Sequence, residues 1–323
     1  MAEPKPSLEQ ISAQLREARA NGDPWKEGIA LNNLGDYYKD RGETSKALEH
    51  FQKSLQFFIA LDDAERRATV LNNIGGTYVD AKQFPQALEQ FALALGVYGS
   101  IANTFGEAMA LNNMGGVHFA EGRYDDARKN FILAASFFRS AAAPSWEGQA
   151  LENLAAAEAG LGNQKAAVER YGQALEIWQR QNQTDRQAMI LNRIGSLYAS
   201  SGESGVAVEL YNRALALQKT SNNPSLAAVI HASLGRLHLE AKNWPAARIE
   251  LDQALRIFRE YGDKRGQATT LLSLGMLDQA TSAELLISAA SLFHEIGDAA
   301  AERNALDLVP ERKDAAAAKD KPA

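Results

Sequence analysis

Asparagine recurs along the chain at intervals of 40 residues, at Asn33, Asn73, Asn113 and Asn153. Each of these side chains carries both hydrogen-bond donors and an acceptor. This combination matches the alternating N–H and C=O groups of an extended peptide backbone, whatever the side chains of that peptide are. The row could therefore bind a peptide backbone, provided that its members lie on one accessible surface.

A second use is open to the same side chains, because asparagines of neighbouring repeats could bond to each other and hold the repeats in register. A companion row stands one residue earlier in the repeat, at Asn32, Asn72, Asn112 and Asn192. We expect peptide contact from Asn73 and Asn113 and bonds between repeats from the companion row. Both alternatives stay open for either row.

The asparagines belong to a segment, residues 31–35 with the sequence LNNLG, that returns every 40 residues. Seven copies follow one another without insertion or deletion, and the last two read HASLG at residues 231–235 and LLSLG at residues 271–275. A fixed period of this size is typical of a stacked solenoid, in which each repeat buries its apolar face against its neighbours. Apolar residues within a repeat follow helical spacing, so that the second repeat predicts helices over about residues 64–81 and 84–100.

The two ends of the chain predict helical caps. Residues 8–15 align with the second helix of the first repeat, so residues 1–23 are predicted to contain a lone N-terminal capping helix. The solenoid is predicted over residues 24–309, with units that begin near residues 24, 64, 104, 144, 184, 224 and 264, and residues 310–323 are predicted to form a disordered tail. The predicted fold is all-α, a right-handed α-α superhelix of about seven helix-turn-helix repeats with helical caps.

The repeat resembles the tetratricopeptide repeat. Counted from the glycine of LNNLG, small residues follow at 12 and 19 positions with a large residue between them, as Ala87, Phe91 and Ala94 show in the second repeat. Small residues let the two helices of a repeat approach closely, and the large residue fills the space beside them. The period of 40 rather than 34 residues resembles the extended subgroup found in kinesin light chains and in peptide-sensing bacterial regulators. HEAT and armadillo repeats have a similar length but lack this spacing.

The resemblance implies a function and a set of binding residues. In this family the first helices of the repeats line a concave groove. The implied peptide-binding residues of this chain are Asn33, Asn73, Asn113, Asn153, Arg193 and Arg236. One turn further along, the wall carries small residues, at Gly76, Gly116, Ala156 and Ser196. The chain is thus expected to be a non-enzymatic scaffold or adaptor that binds an extended peptide or a helix of a protein partner. The alternative is a sensory or regulatory domain whose superhelix responds to a signalling peptide or a small molecule.

Arg193 and Arg236 replace neutral residues on what should be neighbouring first helices. Together they could hold a carboxylate, either a peptide C-terminus or an acidic side chain. The alternative is that Arg236 pairs with Glu240, four residues further along the same helix, and that Arg193 pairs with a nearby acid. Phe58 and Phe138 are expected to lie in the core, the alternative being an outer apolar patch through which the protein could self-associate.

Composition argues against several other classes of function. The net charge of −6 leaves no surplus of lysine and arginine to neutralise nucleic-acid phosphates. No apolar run reaches the ~18–20 residues of a membrane span. The chain has no cysteine, which excludes disulfides and zinc–thiolate sites.

The sequence also gives no sign of catalysis. No arrangement resembles a nucleophile with its base, a metal-ligand set or a phosphate-binding loop, so we expect no enzymatic activity, no cofactor and no metal. The N-terminal segment has no apolar stretch of signal-peptide type. We therefore expect a cytoplasmic protein, the alternative being a periplasmic or secreted protein whose leader has been removed.

Overall fold

The computed structural model describes residues 6–219, 223–277 and 282–309, and over these residues the regular secondary structure is helical throughout. Sixteen helices lie within the described residues. In chain order they are α1 (Leu8–Ala20), α2 (Pro24–Lys39), α3 (Thr44–Ala60), α4 (Ala64–Asp80), α5 (Phe84–Ser100), α6 (Thr104–Ala120), α7 (Tyr124–Ser140), α8 (Pro144–Gly160), α9 (Gln164–Arg180), α10 (Thr184–Ser200), α11 (Ser204–Gln218), α12 (Pro224–Glu240), α13 (Trp244–Glu260), α14 (Lys264–Gly275), α15 (Ser282–Glu295) and α16 (Ala299–Asp307).

The chain divides into two compact units, residues 1–177 and 178–323, and the division falls within α9. In the first unit, α2 packs on α3, α4 on α5 and α6 on α7, and each such pair packs on the next helix along the chain. In the second unit, α10 packs on α11, α12 on α13 and α14 on α15. Consecutive helix pairs of this kind confirm the all-α fold class.

The small residues of the repeat allow close packing of its two helices. A Cβ atom built on Gly75 of α4 would lie 2.5 Å from Cε1 of Phe91 on α5. Phe91 is buried, and Ala87 and Ala94, one turn to either side on the same helix, are completely buried. Glycine at this position therefore lets the phenylalanine ring rest directly on the backbone of the first helix.

The turns between helices repeat every 20 residues with a left-handed residue. Glycine takes this conformation at Gly22, Gly42, Gly122, Gly162, Gly202 and Gly262. Non-glycine residues take it at Asp62, Lys82, Ala102, Ala142, Asn182 and Lys242, with φ between 51° and 58°. The left-handed region costs an L-residue about 1–2 kcal/mol. Packing of the helix pairs therefore imposes the same turn even where the sequence lacks glycine.

Phe58 and Phe138 lie in the core, as expected, and the alternative of an outer apolar patch is wrong. Each side chain is 1% exposed. Phe58 packs in a core cluster with Phe51 and Val70, and the Phe138 ring lies 5.8 Å from that of Trp146. Phe58 follows Phe51 by seven residues, or two helical turns, so both rings face the interior.

The ends of the described chain carry single helices. α1 begins with a capping box, in which the Ser7 hydroxyl accepts from the backbone N–H of Gln10 and the Gln10 side chain accepts from the backbone N–H of Ser7. The predicted tail, residues 310–323, lies outside the described residues. Among the helices that are described, none combines the length and the apolar character needed to cross a membrane.

Candidate peptide-binding site

The asparagines of the first unit form a ladder of side-chain hydrogen bonds between successive repeats. In each bond, a row asparagine donates its amide to the companion asparagine 41 residues earlier. The bonds run from Asn73 Nδ2 to Asn32 Oδ1 at 3.0 Å, from Asn113 Nδ2 to Asn72 Oδ1 at 3.2 Å, and from Asn153 Nδ2 to Asn112 Oδ1 at 3.0 Å. We call these three bonds the amide ladder.

The ladder realises the second of the two uses open to these asparagines, the bond between repeats. Each ladder bond uses one of the two side-chain N–H groups of a row asparagine. The other N–H and the side-chain carbonyl oxygen take no part in the ladder. Asn73, Asn113 and Asn153 are half-buried. The bond fixes the orientation of each side chain, and a side chain that is already ordered loses less entropy when its remaining groups form further bonds.

Asn33 differs from the rest of its row because the single cap helix α1, and not a complete repeat with a companion asparagine, precedes α2. It lines a cleft of about 670 Å³ between α1 and α2, together with Ile11, Asp36 and Tyr37. We call the face of α2, α4, α6 and α8 that carries Asn33, Asn73, Asn113 and Asn153 the amide wall.

The small residues next to the amide wall are open at one repeat and covered at another. A Cβ atom on Gly76 would lie 3.0 Å from Nζ of Lys39, whose ammonium also lies 3.8 Å from Asp80 Oδ2. A Cβ atom on Gly116 would meet no atom within 4 Å. The Lys39 side chain of α2 therefore occupies the space over Gly76, whereas the space over Gly116 is empty.

A small cavity of about 100 Å³ opens at Gly116. Its lining consists of Gly116 and Phe119 from α6, Phe131 from α7, and Asn153 and Ala156 from α8. Sequence reasoning predicted Asn153 and the small residues but missed Phe119. The signal was available in the repeat register, because the positions equivalent to Phe119 hold no other aromatic residue.

The second unit has a cleft of its own, with different side chains. Arg236 lines a cleft of about 340 Å³ together with Ser196, Ser200, Ser233 and Glu240. The serine hydroxyls donate to backbone carbonyls of their own helices at 2.8–3.0 Å, so towards the cleft they offer acceptors rather than donors. Among the residues that line this cleft, Arg236 carries the positive charge and Glu240 the negative charge.

The alternative pairing of Arg236 with Glu240 does not form within the part of the chain that the structure describes. Both side chains are exposed. Arg193 lies one turn before Ser196 on α10, is exposed, and stands outside the lining of the Arg236 cleft. That the two arginines together hold one carboxylate stays a prediction.

One asparagine of the companion row lacks its ladder partner. Asn192 Oδ1 is buried and has no hydrogen-bond partner among the described residues. The residue 41 positions later is Ser233, whose hydroxyl donates to Val229 O at 3.0 Å instead. The ladder therefore does not form at this step of the second unit.

A histidine near the C-terminal end of α6 lies in surroundings that disfavour its charged form. The pKa of His118 is lowered below its ordinary value by burial and by the neighbouring Arg123 guanidinium. Arg123 also pairs with Glu121 at 2.6 Å. The Arg123 guanidinium at this end of α6 is therefore paired with the Glu121 carboxylate and also lies close to the His118 ring.

A model of the tetratricopeptide repeat matches residues 26–100, 106–180 and 146–220, which together make up more than half of the chain. The chain belongs to the tetratricopeptide repeat family. This confirms the resemblance drawn from the small–large–small spacing of the repeats. No curated protein matches the sequence.

Solved structures with a similar fold include a phosphatase from Bacillus subtilis and a gene regulator of a plasmid. The chain is similar to aspartyl phosphate phosphatase F from Bacillus subtilis, at 16% identity and a TM-score of 0.64, over 95% of this chain and 75% of that one. It is also similar to the Rap conjugation gene regulator of the plasmid pLS20 in complex with the Phr* peptide, at 16% identity and a TM-score of 0.55, over 91% of this chain and 80% of that one.

A third similar structure contains nearly identical TPR-like repeats from Podospora anserina assigned to a kinesin light chain. Its identity is 15% and its TM-score 0.53, over 62% of this chain and 98% of that one. At these levels of identity the likeness establishes a shared fold.

Proposed function

We propose that this tetratricopeptide repeat chain is a non-enzymatic scaffold that binds an extended peptide segment of a partner protein along the amide wall. The observation that carries the proposal is the amide ladder, which orients three row asparagines and leaves an N–H and a carbonyl oxygen on each for a guest. The complex of the similar Rap regulator with the Phr* peptide supports a peptide as the guest.

The spacing of the wall suits an extended chain. Packed helices lie about 8–10 Å apart, and an extended peptide advances about 3.3 Å per residue. Each asparagine would then meet the backbone about every third residue, and the four asparagines would span roughly eight or nine residues. Since one hydrogen bond contributes only about 0.5–1.5 kcal/mol, we expect affinity to need side-chain contacts as well.

The second unit supplies a charge of its own. We propose that Arg236, and Arg193 on the neighbouring helix α10, bind acidic groups of a partner. The exposure of both guanidiniums and the missing pair with Glu240 support this.

The test uses two double variants that break the same two bonds of the ladder. Asn113→Ala with Asn153→Ala removes both the bonds and the row asparagines. Asn72→Ala with Asn112→Ala removes the same bonds but keeps the row asparagines. Both double variants lose the same two ladder bonds, but only the first also removes the groups proposed to contact the peptide. A difference in peptide affinity between them therefore reports on those groups and not on the ladder.

The probe is a displayed library of random twelve-residue peptides, selected on the wild-type protein. Selected peptides are expected to bind the row variant roughly 30-fold more weakly, because two hydrogen bonds of about 1 kcal/mol each are lost. The companion variant is expected to stay within about threefold of the wild type. Equal losses in both variants would show that the asparagines only hold the repeats together, and a library that yields no binder would also refute the proposal.

A second candidate is a regulatory domain that responds to a signalling peptide, and the likeness to the Rap regulators favours it. Small-angle scattering of the wild type with and without a selected peptide separates the two. A change in the radius of gyration supports the regulator, and unchanged dimensions support the passive scaffold.

A further inference from the structure

The cavity at Gly116 has a floor without side chains and walls made of aromatic rings. Gly116 is exposed, and nothing lies within 4 Å of the position that its Cβ would take. Phe131 is 2% exposed and fixed in the core, whereas Phe119 is 37% exposed and presents its ring to solvent. The ring of Phe119 is held by an edge contact with Tyr124, with centroids 5.2 Å apart.

The lining chemistry selects against charge. None of its five residues is ionisable, and the single polar one is Asn153 of the amide wall. An apolar side chain would bury its surface against two rings and Ala156, while its own backbone lies beside the Asn153 amide. A charged side chain would lose hydration without gaining a partner.

The equivalent place one repeat earlier is not open. There the floor is Gly76, and Lys39 Nζ approaches its Cβ position to 3.0 Å. The residue equivalent to Phe119 is Val79. Because the two repeats differ in this way, a peptide lying on the amide wall meets different surroundings at α4 and at α6, and an apolar residue is favoured at one register.

We propose, on the basis of the proposed function, that this cavity binds one leucine-sized aliphatic side chain of the peptide, on a residue whose backbone bonds to Asn153. Its volume of about 100 Å³ admits one such side chain. Gly116 and Phe119 then determine which residue the peptide carries at that register, and Asn153 holds the backbone whatever that residue is.

The test fills the cavity from its floor. Gly116→Leu places an aliphatic side chain in the space meant for the guest, and because Gly116 lies within helix α6, leucine also favours the helix there. Gly96→Leu is the matched control, since Gly96 is an exposed helical glycine of α5 that likewise has no atom within 4 Å of its Cβ position. Circular dichroism and thermal unfolding check that both variants fold.

The probes are the selected twelve-residue peptides and their single-alanine derivatives. On the wild type, alanine at one aliphatic position is expected to weaken binding about tenfold, from the lost burial of one side chain. On Gly116→Leu, the parent peptide is expected to bind about tenfold more weakly, and the alanine derivative to show no further loss. Gly96→Leu is expected to behave as the wild type, and Phe119→Ala to reduce the difference between the parent peptide and its alanine derivative.

Failure of this inference can be told apart from failure of the proposed function. If the row and companion variants differ as expected while Gly116→Leu binds like the wild type, the cavity inference is overturned and the scaffold stands. If Gly116→Leu weakens the parent peptide and its alanine derivative equally, the cavity does not hold the aliphatic side chain. If the selected peptides also bind Asn113→Ala with Asn153→Ala as tightly as the wild type, the proposed function fails together with the cavity inference.

Discussion

The interrupted ladder of the second unit can be completed by one substitution. Asn192 Oδ1 is a buried acceptor without a partner among the described residues, and Ser233 stands 41 residues later, the separation of every bond in the ladder. In Ser233→Asn, the new amide is expected to donate to Asn192 Oδ1 at a distance like the 3.0–3.2 Å seen in the first unit.

The expected gain in stability is modest. An unsatisfied buried acceptor costs about 1–3 kcal/mol. Ordering the longer asparagine side chain costs about 0.5–1 kcal/mol, and serine and asparagine have similar helix propensities. We therefore expect Ser233→Asn to raise the free energy of unfolding by about 1 kcal/mol.

Urea unfolding followed by circular dichroism measures this effect, with an expected rise of a few tenths of a molar in the midpoint. Because two compact units need not unfold together, hydrogen exchange of α10 and α12 peptides should show slower exchange in the variant. The matched control is Ser273→Asn, since the residue 41 positions earlier is Ala232, whose side chain has no hydrogen-bond acceptor. Equal stabilisation by both variants, or none by Ser233→Asn, would refute the account of the ladder.

Two further substitutions test the left-handed turn residue Ala142 and the lowered pKa of His118 on α6. Ala142 has φ of 51°, so Ala142→Gly should stabilise the protein by about 0.5–1 kcal/mol. Ala141, with φ of −79°, gives the control, because Ala141→Gly should lower the thermal midpoint. His118 has a pKa lowered by burial and by Arg123. As pH falls, the histidine therefore takes up its proton at a higher pH in the unfolded chain than in the folded protein. The free energy of unfolding should therefore decrease as pH falls through about 6.5. His118→Tyr should make unfolding midpoints less pH-dependent between pH 7.5 and 5.5; an unchanged slope would contradict the lowered pKa.

Much of the fold follows from repetition in the sequence. The 40-residue period places Gly75 opposite Phe91 in one repeat, and the same spacing recurs along the chain. These contacts lie within one repeat, only 16 residues apart for this pair, so local spacing is enough to predict them. Phe58 follows Phe51 by seven residues on the same helix face, and its burial agrees with the expectation that it lies in the core rather than in an outer patch.

The site was only partly predictable. The row of asparagines was visible, but its two uses could not be separated from sequence, because a donor and an acceptor on one side chain suit both. The structure separates them: Nδ2 of Asn113 bonds to Asn72, and the second N–H and the carbonyl oxygen are left over by that bond. Phe119 was not predicted, although the repeat register distinguishes it, because the equivalent positions of the other repeats hold no aromatic residue.

The sequence by itself determined the family, the helix pairs and the packing within each repeat, because those depend on residues that are near in the chain and repeat at a constant interval. Tertiary structure decided which polar groups are used between repeats and where a guest can enter. The approach of Lys39 to Gly76 and the open space over Gly116 arise from side chains of neighbouring repeats. Their reach and rotamers, rather than the repeat period, determine which space they fill.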